Sequence, residues 1–413
     1  MANSDTEQKV KRTTRMLAMS VDALPARGGI SVFSHHLCNE FSDLCEQVVF
    51  IGPAGTCIPA EHTANYKIIE DIHSKTTKRF GPAYEGEKAR IQALIGKTIE
   101  RYEINRLVVF HPFYYGSAAV QAASSTGLPC HVFVHGTELT SQFPEAYVGS
   151  DLSETPWNSL RFELLYTLTN ATNVIANSRR TKEIAHTIAP RASLAVCGCG
   201  IPERLINDLS ERRMRLAQKR AARLARHGSD APEVCYIGRL VKHKRVDRIL
   251  TFLSQNNWRL SIIGDGPARQ ELEAEVTERN ICDRVSFLGA VNDADKWDVL
   301  RSSDFLVLPS RYSQETGGYE GFGIVLLEAA AAGTIPITSG EDGTADPLEL
   351  YGIGVKGFCD AESTEILQCR LDDFISSEES YSKKVEQDLN TLRTALNWRQ
   401  IAINLLSGAI QHV

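Results

Sequence analysis

A rhythm limits what this chain can become. Short apolar runs rich in β-branched residues recur, each followed by a loop and a longer stretch with helical patterning. In the first half they are Arg15 to Val21, Gln47 to Ile51, Arg106 to Phe110, His131 to Val134 and Asn173 to Ala176. The second half repeats the style at Glu233 to Ile237, Trp258 to Ile263, Arg284 to Leu288, Asp304 to Leu308 and Thr334 to Thr338. Strands that alternate with helices form parallel sheets covered by helices on both faces. Two such series predict an α/β chain of two doubly wound domains, and 413 residues exceed what one hydrophobic core usually holds.

Between the series lies ERLINDLSERRMRLAQKRAARLARHGSDAPE, Glu203 to Glu233, rich in Arg and Lys and closed by Gly228, Ser229 and Pro232. It reads as a solvated helix and a loop joining the halves, with a basic face that suits anionic headgroups or an acidic acceptor. The final LNWRQIAINLLSGAIQHV spaces Trp398, Ile401, Ile403 and Leu405 helically, as a segment packing back onto the first domain would. A net charge of −6 argues against a dedicated nucleic-acid binder. The ten cysteines are scattered, and the close pair Cys197-Gly-Cys199 lacks zinc-site spacing; reduced core thiols and a cytoplasmic setting follow. The N-terminus is polar, and no uncharged run reaches the roughly 18 residues of a spanning helix, so any membrane contact would be peripheral, as at the inner face.

Ligands of open α/β sheets bind beyond the carboxyl ends of the strands. The first such loop, DALPARGGISVF, carries Gly28 and Gly29 ahead of a helix, either a close approach for phosphate or a plain turn. The second, YIGRLVKHKRVDRIL, offers Arg239 as a planar fork and Lys244 as a mobile charge, suited to a diphosphate or simply to solvent. The third, IIGDGPARQELE, half-matches a dinucleotide fingerprint, with Arg269 where the third glycine belongs. The fourth, PSRYSQETGGYEGFGIVLLEAAAAG, sets Glu320 before a helix starting near Gly323 or Ile324, and Glu328 in its early turns inside an apolar run. A carboxylate accepts two hydroxyl protons, so paired hydroxyls of a sugar are natural partners for both; Glu328 as a dipole residue and Glu320 as a loop acid are the plainer readings. His135, in VFVHGTEL, ends a strand, and His111, in VVFHPFYYG, stands at an equivalent strand end as the weaker candidate.

Taken in order, the Gly28-Gly29 loop, His135-Gly136-Thr137, ANSRRTKEI, Gly238-Arg239 with Lys244, GDGPARQELE, VSFLGAV and the E-x7-E pair Glu320 and Glu328 resemble the retaining glycosyltransferases of family 4. The resemblance implies the GT-B fold: two Rossmann-like domains facing across a cleft, with a C-terminal helix returning to the first. Residues 1–203, with 396–413, would form the acceptor domain, and 204–395 the donor domain. Arg239 and Lys244 would bind the donor diphosphate, Glu328 the ribose, Glu320 the transferred sugar, and backbone from Gly321, Phe322, Gly323 and Ile324 would complete that pocket. Val291 would lie near the base, Gly28 and Gly29 near the diphosphate, and His135 near the sugar and acceptor.

The implied reaction is retaining, metal-independent transfer of a sugar from a UDP- or GDP-sugar to a carbohydrate or lipid-linked acceptor, in cell-envelope polysaccharide or glycolipid assembly, with no cofactor. Two departures from the pattern stand out: SGEDGTADPLELYG follows the last motif, and VCGCGIPE precedes the basic segment. A nicotinamide-dependent oxidoreductase or epimerase, and a non-catalytic sugar-binding protein, are the alternatives.

Overall fold

The computed structural model describes residues 13–24, 28–58, 65–71, 83–147, 158–358 and 364–408. The chain divides into two compact units, Met1–Cys199 with Trp398–Val413, and Gly200–Asn397.

The first unit is built from β1 (Arg15–Met19), α1 (Gly29–Leu44), β2 (Gln47–Pro53), β3 (Lys67–Asp71), α2 (Ala83–Tyr102), β4 (Arg106–Val109), α3 (Gly116–Thr126), β5 (Cys130–Val134), the single turns α4 (Thr137–Thr140) and α5 (Pro144–Tyr147), α6 (Ser159–Asn170), β6 (Asn173–Ala176), α7 (Arg179–Ile188) and β7 (Leu194–Val196). Its strands lie in the order β3-β2-β1-β4-β5-β6-β7, all parallel. Register sets Leu17 between Val49 and Leu107, so apolar side chains of neighbouring strands stack in rows that Ile91, Ile95, Ala118 and Ala119 cover. In α1 the buried residues Phe33, Leu37, Phe41 and Leu44 recur at helical spacing and turn one stripe inward. The last helix, α16 (Trp398–Ser407, taken out of chain order), packs against α1, with Trp398 fully buried and edge-on to Phe33 at 4.9 Å.

The second unit runs through α8 (Glu203–Glu211), α9 (Leu216–His227), β8 (Glu233–Ile237), α10 (Val246–Gln255), β9 (Arg259–Ile263), α11 (Arg269–Glu278), β10 (Val285–Gly289), α12 (Asp293–Ser302), β11 (Phe305–Leu308), α13 (Ile324–Ala331), β12 (Ile335–Thr338), β13 (Val355–Lys356), α14 (Thr364–Ile375) and α15 (Glu378–Ala395). The sheet order is β10-β9-β8-β11-β12-β13, again parallel. The expected strands are all present, with ends shifted by a residue or two.

The basic segment departs from its reading. It forms two helices of the second unit, and α9 turns Lys219 and Arg223, four residues apart, into the core. Arg223 bonds Asp304 at 2.9 Å, both fully buried. Lys219 Nζ donates to the carbonyl oxygens of Ser303 and Gly333 and to the Tyr381 hydroxyl. A solvated face needs no such partners; these cations are tolerated inside because each finds several oxygens.

The cysteines also divide. Cys38, Cys45, Cys130, Cys199 and Cys235 are buried free thiols, whereas Cys57, Cys282 and Cys369 are exposed, contrary to a purely core role. Cys359 lies outside the described residues. Among the described residues no helix is long and apolar enough to cross a membrane.

Candidate active site

Both strand orders reverse direction at one point, between β1 and β4 and between β8 and β11, and ligands of such sheets bind beyond the carboxyl ends there. In the second unit the loops leaving β8 and β11 carry Arg239, Lys244 and Glu320.

The β8 loop is held by backbone. Gly238 N–H donates to Ile263 carbonyl, Leu240 N–H to Asp265 carbonyl and Ala268 N–H to Leu240 carbonyl, at 3.0, 2.9 and 3.0 Å. A Cβ on Gly264 would stand 2.0 Å from Gly238 oxygen, and one on Gly266 would stand 2.3 Å from Leu240 oxygen. These two glycines thus serve close packing of one loop on another, which accounts for a half fingerprint without a nicotinamide ligand.

Beyond that support the chain makes one 3₁₀ turn, Lys242–Lys244, and Lys244 forms a short ion pair with Glu320. Both side chains are largely covered, 16% and 14% exposed. Ser310, just past β11, lies 3.4 Å from the same carboxylate oxygen. His243 lies beside them, its pKa pushed down to about 4 by burial and by Lys244, so its ring is neutral near pH 7. Arg239 differs: its side chain is exposed and makes no ion pair among the described residues.

The Glu320 loop is braced from behind. Gly343 N–H donates to Glu320 carbonyl at 2.9 Å, and a Cβ on Gly343 would stand 1.8 Å from Gly321 oxygen. The departing stretch SGEDGTADPLELYG therefore forms a wall touching this loop. Gly323, at φ 82°, turns the chain into α13, which begins at Ile324 as expected, and the N–H groups of Gly323, Ile324 and Val325 meet no acceptor among the described residues.

Glu328 lies on the fifth residue of α13, and its carboxylate bonds Lys296 Nζ of α12 at 3.0 Å, not the helix N–H groups. Burial alone would lower the Lys296 pKa, but Glu328 and Asp293 outweigh it and raise it. Asp293 lies 3.5 Å from the same ammonium and is part of this cluster. Val291 lies in the turn between β10 and α12.

In the first unit Gly28 caps α1, its N–H bonded to Ser31 Oγ at 3.0 Å. Gly28 is extended, and a Cβ on Gly29 would meet nothing within 4 Å. Neither fold conformation nor space demands glycine at these positions. His135 follows β5 and is half-buried; Nε2 donates to Phe110 carbonyl at 2.8 Å, and its pKa is lowered mainly by burial. With its proton on Nε2, the ring presents Nδ1 as an acceptor. Asn177, after β6, donates to His135 carbonyl at 3.3 Å, while its own buried Oδ1 has no partner among the described residues. His111 Nδ1 accepts from Phe113 N–H at 3.3 Å.

The structure joins Lys244 to Glu320 and places Arg239 on the same loop as Lys244. It adds Lys296, His243, Ser310 and Asp293, which residue types alone did not single out. Lys296 stands 32 positions before its partner in a short helix rich in charge, so only three-dimensional packing reveals it. Among the described residues no cluster of three or more His, Cys, Asp or Glu side chains is arranged to hold a metal ion.

Two family models match. Residues 27–204 match the model described as Glycosyltransferase Family 4, and residues 219–388 match Glycosyl transferases group 1. The chain is 33% identical over 132 residues to an uncharacterised glycosyltransferase of Methanocaldococcus jannaschii, covering 30% of this chain and 32% of that one. It is 32% identical over 121 residues to a GDP-mannose-dependent α-(1-6)-phosphatidylinositol monomannoside mannosyltransferase of Mycobacterium tuberculosis, covering 28% and 31%. The matches thus span about a third of the length of these curated relatives. Among solved structures, HepE of Anabaena in complex with UDP aligns with TM-score 0.71 at 15% identity, over 96% of this chain and 99% of that one, a likeness of fold.

Proposed function

This chain belongs to glycosyltransferase family 4 and has the GT-B fold, and from that premise we propose that it transfers a sugar from a UDP- or GDP-sugar to an acceptor hydroxyl with retained anomeric configuration. The observation that carries this reading is the largely covered Lys244–Glu320 pair beside the exposed Arg239, unpaired among the described residues, at the switch point of the second sheet.

In the ligand-free protein Glu320 and Lys244 satisfy each other. A bound donor would exchange both partners: its diphosphate takes Lys244 and Arg239, and hydroxyls of its sugar take the Glu320 carboxylate. Ground-state pairing of this kind keeps the half-buried charges compensated until substrate arrives. As the glycosidic bond to the diphosphate breaks, negative charge grows on the departing oxygen and the sugar becomes oxocarbenium-like. Arg239, Lys244 and the unused N–H groups from Gly323 to Val325 stabilise that charge, which is where most catalysis would arise. Glu328, released from Lys296, would accept the ribose hydroxyls, and the turn at Val291 would lie near the base.

In the first unit, the space at Gly28 and Gly29 suits close approach of phosphate, and His135 Nδ1 suits a sugar hydroxyl. The acceptor oxygen would attack from the face the diphosphate leaves, so no carboxylate nucleophile is required. Neither metal nor cofactor is needed where the side chains already supply positive charge. A carbohydrate or lipid-linked acceptor of cell-envelope assembly fits the mannosyltransferase relative. Arg212, Arg215 and Arg226, still exposed, leave a reduced basic face for a membrane surface.

Release of UDP or GDP from a panel of nucleotide sugars, with EDTA present, tests the reading. Arg239→Ala and Lys244→Ala should each lower turnover on the order of 10²–10³ with unchanged circular dichroism, the usual loss when one transition-state charge partner is removed. Wild-type rates in both folded variants would refute it, and activity abolished by EDTA would refute the metal-free mechanism.

A further inference from the structure

We propose that the first unit carries a second anion site, for a phosphate group, at the amino ends of β4, β5 and β6, the end opposite to that used by ligands of such sheets. Arg106 begins β4, His131 is the second residue of β5 and Asn173 begins β6; His131 is in register with Asn173 on one side and Val108 on the other. These three residues and the end of α16, with Leu405, Ser407 and Gly408, line an open hollow with about 200 Å³ of room, enough for a phosphate group.

The hollow contains donors without acceptors among the described residues. Arg106 is half-buried, and its guanidinium makes no hydrogen bond or ion pair with the described residues. Cys45, the acidic group that acts on it, is kept a neutral thiol because burial raises its pKa to about 12. Nor can His131 supply the missing charge. Asn173 Oδ1 accepts the Ser193 hydroxyl at 2.8 Å, which directs the Asn173 amide nitrogen toward His131 Nδ1 at 3.3 Å. An amide nitrogen only donates, so Nδ1 accepts and the ring proton sits on Nε2, which has no partner among the described residues. Burial, then the nearby Arg106, pushes His131 down to about 4, consistent with a positive pocket lacking a counter-charge.

A guanidinium fork and an imidazole N–H beside one cavity match the oxygens of a phosphate group: two to the fork, one to the ring. The ligand is either inorganic phosphate or a phosphate ester, which share that recognition. The test is calorimetric titration of the full chain in an Arg239→Ala/Lys244→Ala background, so that the diphosphate site proposed above does not contribute. Inorganic phosphate should bind one per chain, and Arg106→Gln should weaken it at least tenfold. Glucose 6-phosphate binding more tightly than inorganic phosphate would support an ester as the ligand; equal binding would support the free ion. Arg106→Gln should melt no lower than its parent without phosphate, because it loses an unpartnered charge, and phosphate should raise the melting temperature of the parent only. Should Arg106→Gln fail to fold, His131→Phe replaces it, with at least a threefold weakening expected. Equal phosphate binding, or an equal thermal shift, in parent and variant would overturn the proposal, as would no binding to the parent.

Discussion

Consider removal of one charge from the Arg223–Asp304 pair. Arg223 and Asp304 are 1% and 0% exposed and 2.9 Å apart, and Asp304 also accepts Glu233 N–H at 3.0 Å. Asp304→Asn keeps an oxygen for that N–H, still within reach of Arg223, but removes the negative charge and leaves the guanidinium buried beside neutral oxygens only, the second being the Asp230 carbonyl at 3.4 Å. Breaking a buried pair in this way costs about 3–5 kcal/mol. Arg223→Met should cost a similar amount, by leaving a buried carboxylate with one N–H donor. The double variant removes both charges of the pair together, so its cost should fall well below the sum, to about 1–3 kcal/mol. Urea unfolding followed by tryptophan fluorescence reads this directly, because Trp258 is buried and stacks on Phe305, next to Asp304, at 5.6 Å. With a slope of about 2 kcal/mol/M, each single variant should unfold roughly 2 M earlier. Single costs under about 1 kcal/mol, or a double cost equal to their sum, would refute the argument that the pair is a coupled buried unit.

Two further outcomes follow from particular contacts. Burial holds the Lys219 pKa near about 8, below its ordinary value, with Asp304 opposing the shift. The unfolded chain therefore binds that proton more tightly, and stability should rise by up to about 3 kcal/mol from near pH 8 to the unfolded pKa near roughly 10.4. Lys219→Met should lack the rise; equal pH dependence of urea midpoints in both proteins would contradict it. Gly343→Ala places a methyl group 1.8 Å from Gly321 oxygen and should displace the Glu320 loop, lowering turnover at least tenfold, while Gly29→Ala, with open space around it, should leave the melting temperature within about 1 °C. The reverse ranking of the two variants in melting temperature would show that the brace is not rigid.

Much of the architecture was legible because buried parallel strands require continuous apolar runs, and Val48 to Ile51 or Phe305 to Leu308 can hardly be read otherwise. The strands overlooked, β3, β7 and β13, are all edges. An edge strand pairs on one side only, so KIIED, LAV and VK need no long apolar run. Glu328 was visible as a carboxylate inside an apolar run and Glu320 as an acid in the loop before the helix; in the ligand-free protein they meet Lys296 and Lys244. Lys244 was already a candidate through its loop. Lys296, Lys219 and Arg223 were not, since a basic residue on a helix reads the same whether it faces water or a distant carbonyl.

The second unit is contiguous in sequence, whereas the first is completed by α16. During synthesis the α1 face around Phe33 must therefore wait for nearly two hundred residues of another unit to emerge before Trp398 covers it. At ribosomal speeds that is an interval on the order of ten to forty seconds. The half of the molecule made first is the half that finishes folding last, and throughout that interval its bare aromatic surface is a target for chaperones.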